Sequence, residues 1–182
     1  MFQTQLRLLP AAVVCILLPA CSSQRSSSEN SAKTAPASPA PAAVSVTPNS
    51  GTGPRGVFSF VTSHPQGASH LYRSHMVFTS AASPSVTCYA VFMPPRSVYL
   101  MNDANSAWLK PVVLGTASAA ENARCSVNGT ASSILVKGQT RTVTLEFSFK
   151  APMAGENTIS LAADDWQGAI SPWKPVGTWT VR

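Results

Sequence analysis

Residues 140–150 read TRTVTLEFSFK. Val143, Leu145, Phe147 and Phe149 fall on one side of an extended chain; Thr142, Thr144, Glu146 and Ser148 fall on the other. A period of two with one apolar and one polar side fits a strand in an antiparallel sheet that is buried on one face. It does not fit a helix, whose side chains repeat every 3.6 residues. Residues 56–63 repeat the pattern with Phe58 and Phe60. Further strand candidates are 86–93, 98–102, 132–136, 158–163 and 178–181. Between them lie Pro65-Gln66-Gly67, Pro94-Pro95, Asn102-Asp103, Asn128-Gly129, Lys137-Gly138 and Gln167-Gly168, all with turn chemistry. Short strands at close spacing, without a long amphipathic helix, predict an antiparallel β-sandwich. Residues 117–123 offer at most one helical turn.

Composition narrows the class. The chain has 182 residues, 13 Lys+Arg against 7 Asp+Glu, 11% charged residues and 45% hydrophobic ones. A highly charged disordered chain and a coiled coil are both excluded. Residues 1–21, MFQTQLRLLPAAVVCILLPAC, have the layout of an export signal: Arg7, then an apolar stretch from Leu8 to Leu18, then a small residue. That stretch is shorter than a bilayer-spanning helix requires. Leu18-Pro19-Ala20-Cys21 resembles the bacterial lipoprotein signal, in which the Cys is lipidated and becomes the mature N-terminus. Pro19 departs from the pattern, and an ordinary cleaved signal with Cys21 incidental is the alternative. Residues 22–43 contain 16 Ser, Ala or Pro residues among 22, too little apolar surface to offset ordering entropy. The expected organisation is a signal peptide at 1–20, a tether at 21–43 and a sandwich at 44–182. Ser after the Cys favours the outer membrane in a cell that has one.

Of four cysteines, Cys15 lies in the leader and Cys21 is the lipidation candidate. Cys88 and Cys125 remain as an even pair in an exported domain and are expected to form a disulfide. They lack the C-x-x-C spacing of a redox pair.

Residues 98–115, VYLMNDANSAWLKPVVLG, resemble a segment of a bacterial Ig-like module. The likeness is carried by Asn102-Asp103-Ala104, Ala107-Trp108-Leu109, Pro111-Val112 and Leu114-Gly115. Cys88-Tyr89, Cys125-Ser126-Val127-Asn128-Gly129 and Gly177-Thr178-Trp179-Thr180-Val181 extend it, so that it covers 44–182 and is loose before Thr87. The module occurs in large secreted or surface proteins of environmental bacteria, notably acidobacteria. The resemblance implies an Ig-like sandwich and carries no defined activity. Where the module has Asp-Pro-Asn-Gly followed by another Asp, this chain has His64-Pro65-Gln66-Gly67 and His70, which removes the hard oxygens calcium needs. The module's Asp-x-x-Gly turn survives as Asp165-Trp166-Gln167-Gly168.

Candidate sites are few. His64, His70 and His75 with Met76 are of transition-metal ligand type, but positions 70 and 75 face opposite ways on a strand. They read as loop and strand histidines on a solvated face, and neither metal nor cofactor is expected. Asp164-Asp165, the only adjacent acidic pair, reads as a solvated turn before Gly168. No G-x-S-x-G, H-E-x-x-H or P-loop is present, so no catalytic residue is assigned. Trp179 alternates with Val181 and belongs to the core, and Trp108 is expected to be at least half buried. Trp166 and Trp173, in a turn-rich stretch, are the candidate ligand contacts, with Asp165 beside them as a polar partner. Basic residues in 44–182 number 10 against 6 acidic and are scattered, which disfavours a nucleic-acid partner. The expected function is a non-catalytic, lipid-anchored surface module that binds protein or envelope polysaccharide. The alternatives are a carbohydrate-active or other periplasmic enzyme on the same fold, and a purely structural spacer.

Overall fold

A computed structural model describes residues 39–182. The expected export signal, Cys21 and the expected tether as far as residue 38 lie outside the described residues.

Among the described residues, eleven strands form two antiparallel sheets. The five-stranded sheet has the order β1 (Ala42–Thr47), β2 (Arg55–Ser63), β9 (Thr140–Phe149), β8 (Cys125–Lys137), β7 (Ala119–Glu121). The six-stranded sheet runs β11 (Lys174–Val181), β10 (Gly155–Asp165), β3 (Leu71–Ser80), β4 (Thr87–Met93), β5 (Ser97–Leu100), β6 (Val112–Val113). The sheets pack face to face as a sandwich, as the period-two pattern predicts. β1 starts at Ala42, two residues before the boundary that composition suggests.

The strand at 140–149 shows why the fold forms. Val143, Leu145 and Phe147 are fully buried, and the alternate Thr and Glu positions are half-buried. β2 pairs with it so that Phe58 faces Leu145 and Phe60 faces Val143. Across the sandwich, the Phe58 ring meets Phe78 and Trp179 edge-on, at 5.0 Å in each case. The β8–β9 hairpin closes at Lys137–Thr140, with Gly138 at φ 55°. That left-handed conformation suits glycine in a two-residue hairpin turn.

Cys88 on β4 and Cys125 on β8 form a disulfide that ties one sheet to the other, with Cα atoms 5.9 Å apart. Two expectations are corrected. Residues 117–123 hold no helical turn: Ala119–Glu121 pair with Ser126–Asn128 as β7. β3 is a full ten-residue strand between β10 and β4, although residues 71–80 are not among the strand candidates given above. Its inward side carries Ser74 and Ser80 as well as Met76 and Phe78, which blurs the apolar alternation.

Candidate ligand-binding face

The outer face of the six-stranded sheet sets the exposed Trp108 and Trp173 beside half-buried aromatic and polar groups. Register builds it in rows. Ser160, Val77 and Tyr89 are cross-strand neighbours on β10, β3 and β4, and the next row holds Ala162, His75 and Val91. Paired residues share a face, so Tyr89 and His75 both point away from the core.

Two segments fold over these rows. Residues 101–109 are held by a bridge between Met101 and Trp108. The Asn102 side-chain oxygen accepts the Ser106 N–H at 2.9 Å, an Asx cap of the kind its Asn-Asp turn predicts. The Asp103 carboxylate accepts the Ala123 N–H at 3.0 Å and pins the loop to the start of β8. On the other side, Ser171 clips the chain back onto β10. Its N–H donates to Ala163 O at 2.8 Å, and its hydroxyl accepts the Ala163 N–H at 2.9 Å. Pro172 follows, and Trp173 then lies over the sheet.

Tyr89 consequently sits between two indoles. Its ring is 5.0 Å from Trp108 and 6.0 Å from Trp173, edge-on to both. Trp173 is 50% exposed and Trp108 37%. A hollow of about 460 Å³ lies here, walled by Val77, Tyr89, Met101, Asn105 and Trp173 and edged by Thr79, Thr87 and Ser160. That volume is within the range of small-ligand sites. A second hollow of about 190 Å³ adjoins it across Tyr89 and Trp173, and reaches Arg73, His75 and Asp164.

Asp164 anchors that end. Its side chain is 3% exposed; one oxygen accepts the Arg73 backbone N–H at 2.8 Å and the other the Arg73 Nε–H at 2.6 Å, with Nη2 in contact too. This hydrogen bond raises the Arg73 pKa, against the opposing effect of burial. His75 Nε2 lies 3.7 Å from the same carboxylate, and His75 Nδ1 is 2.8 Å from the Tyr89 hydroxyl. Burial lowers the His75 pKa and outweighs the pull of Asp164. Burial likewise raises the Tyr89 pKa. At neutral pH the face therefore presents a neutral imidazole, a phenol, a clamped guanidinium and two indole faces: hydrogen-bonding groups fixed beside flat apolar surfaces.

The residues singled out from the sequence are redistributed by the fold. Asp164-Asp165 is not a solvated turn: both are buried at the end of β10, where a bulge between Ala163 and Asp165 sends them to different partners. Asp165 accepts the N–H groups of Gln167 and Ala169 at 2.9 and 2.8 Å, and its other oxygen lies 3.4 Å from His64 Nε2. Its oxygens are directed into the fold, not toward a ligand beside Trp166. His64 is not on a solvated face either. Its side chain is fully buried, stacked on His70 at 5.1 Å, with Nδ1 accepting the Gln66 N–H. The His64 imidazole thus meets the Asp165 turn inside the fold. Among the described residues, no group of three or more His, Cys, Asp or Glu side chains is placed to hold a metal ion.

Trp166 and Trp173 do not form one platform. Trp173 lines the outer sheet face, while Trp166, 57% exposed, packs at a tilt against Tyr72 with ring centroids 4.2 Å apart and lines a separate cleft. Tyr89, His75, Arg73 and Trp108 join the site only through the fold, and the sequence does not mark them as ligand contacts. For Tyr89 the available signal is β-parity in the 86–93 strand, and for His75 it is β-parity in β3, which must be assigned first. No family model matches the chain, and a search of curated proteins returns no match.

Proposed function

We propose that this chain is a non-catalytic, lipid-anchored surface module whose β-sandwich binds envelope polysaccharide through the outer face of its six-stranded sheet. The observation that carries the reading is Tyr89 set between the half-exposed indoles of Trp108 and Trp173 over a 460 Å³ hollow. Sugar rings present flat C–H faces, which suit indole surfaces, and rims of hydroxyls, which suit Asn105, Thr87, Tyr89 and Ser160. Large exposed aromatics clustered beside polar groups mark interaction surfaces more than singly scattered ones do.

The test is capture of envelope polysaccharide by the full chain. Trp173→Ala should weaken capture by about tenfold or more, the loss of one aromatic anchor. Its melting temperature should stay close to that of the parent, because the indole is half exposed. Capture of protein alone, with Trp173→Ala unaltered, would defeat the reading.

Anchorage is tested separately. Metabolic labelling with an alkyne fatty acid should mark the parent chain and leave Cys21→Ser unmarked. Equal labelling of both would contradict lipid attachment at Cys21.

A further inference from the structure

The alternation of β9 carries a cation into the sandwich. Arg141 shares parity with Val143, Leu145 and Phe147, and is 3% exposed. Its guanidinium crosses from the five-stranded to the six-stranded sheet. Nη1 donates to Leu71 O at 3.1 Å and Tyr72 O at 3.2 Å, and Nη2 donates to Ser74 Oγ at 3.0 Å. The Phe92 ring lies 4.9 Å from Cζ. Nε–H is buried with no partner among the described residues. Three hydrogen bonds leave two of the five guanidinium N–H groups unused.

The charge is uncompensated as well. Among the described residues no carboxylate lies within 4.0 Å of Arg141. Asp164, whose field reaches it, is already clamped by Arg73. Burial pulls the Arg141 pKa down to about 10. A cation removed from water without a counter-ion is costly, and buried charges are normally paired.

A cleft of about 270 Å³ opens here at the end of the sandwich. Among the described residues, Arg141 is the one charged side chain that lines it. Leu71, Phe92, Pro94, Ile134 and the exposed Trp166 give it apolar walls. Its volume is just below the range of drug-sized sites, so an occupant must be small. One cation among apolar walls complements one negative charge on a hydrocarbon body; a sugar or a doubly charged phosphate would leave polar groups unpaired.

We propose that this cleft binds a small apolar monocarboxylate, with its carboxylate on the Arg141 guanidinium and its hydrocarbon body against Trp166, Ile134 and Phe92. The site is independent of the polysaccharide face and shares no lining residue with its main hollow.

Isothermal titration of the full chain with 3-phenylpropionate tests it, with 3-phenylpropanamide as the neutral counterpart and phenyl phosphate as the dianion. The expected result is 1:1 binding of the carboxylate with Kd of about 1 mM or tighter, a blue shift in Trp emission, and amide and phosphate each weaker by about tenfold. Arg141→Lys should weaken carboxylate binding by a similar factor, because the ammonium lacks the planar fork. Val136→Asp keeps the test open if that variant fails to fold: Val136 lines the cleft and is 56% exposed, so a carboxylate there repels the ligand without disturbing the core. Equal affinity for the amide, unchanged binding by Val136→Asp, or a flat isotherm up to about 10 mM would overturn the proposal.

Discussion

Phe58→Ala is expected to destabilise the sandwich by about 3–5 kcal/mol, the range for truncating a buried Phe. Phe58 is fully buried on β2, and its ring meets residues of both sheets. Phe78 and Trp179 lie at 5.0 Å, Phe60 and Phe147 at 6.2 Å, and Phe149 at 6.4 Å. Most of these contacts are edge-on, the arrangement that aromatic quadrupoles prefer. The neighbours are large rings on four different strands, so they cannot close together over the vacated space without moving the sheets. A fall in melting temperature of roughly 10 °C or more follows for a domain of this size. Urea denaturation of Phe58→Ala beside Val57→Ala measures it. Val57 points outward and is 46% exposed, so its truncation should change stability by no more than about 0.5 kcal/mol. A Phe58→Ala cost below about 1 kcal/mol would show that the sheets do relax, and that the aromatic cluster is not the centre of the core.

Removing both cysteines, as Cys88→Ala with Cys125→Ala, should have an effect of the same order. The bridge joins residues 37 apart in sequence. Closing such a loop removes unfolded-state entropy worth about 4 kcal/mol at 25 °C. Both residues are fully buried, one in each sheet, so the substitutions also leave a small apolar deficit. The double variant avoids stranding a free thiol that would form mixed disulfides. Calorimetry should find its melting temperature lower by roughly 10 °C, if unfolding is two-state. Equal stability of the double variant and the parent would mean that the bridge constrains nothing the packing does not already fix.

What the sequence reveals of this molecule depends on how local the cause is. The 140–149 strand is legible because alternate residues settle which side is buried. Lys137-Gly138 is legible as a turn because glycine takes its left-handed backbone without a Cβ penalty. β3 is harder, since its inward Ser74 is satisfied by Thr62 Oγ1 at 3.0 Å and by Arg141, partners found only after folding. Asp164-Asp165 misleads for the same reason. Beside Trp166 and Gly168 it reads as a wet turn, yet Asp164 is paired with Arg73, 91 residues away. The candidate face is a product of strand order. Tyr89, Trp108 and Trp173 come from β4, a loop after β5 and the segment after β10, and no spacing in the chain places them together. Arg141 is the exception that parity can reveal, since its position marks it as inward beside four apolar residues.

The most direct test of the binding face is an amide and indole chemical-shift titration of the isotopically labelled full chain with the captured polysaccharide. Shifts are expected to concentrate at Val77, Tyr89, Asn105, Ser160 and the Trp173 indole N–H, with the outer face of the five-stranded sheet, at Val57 and Thr144, unchanged. Shifts centred on Val57 and Thr144, or spread evenly over the sandwich, would contradict binding at this face.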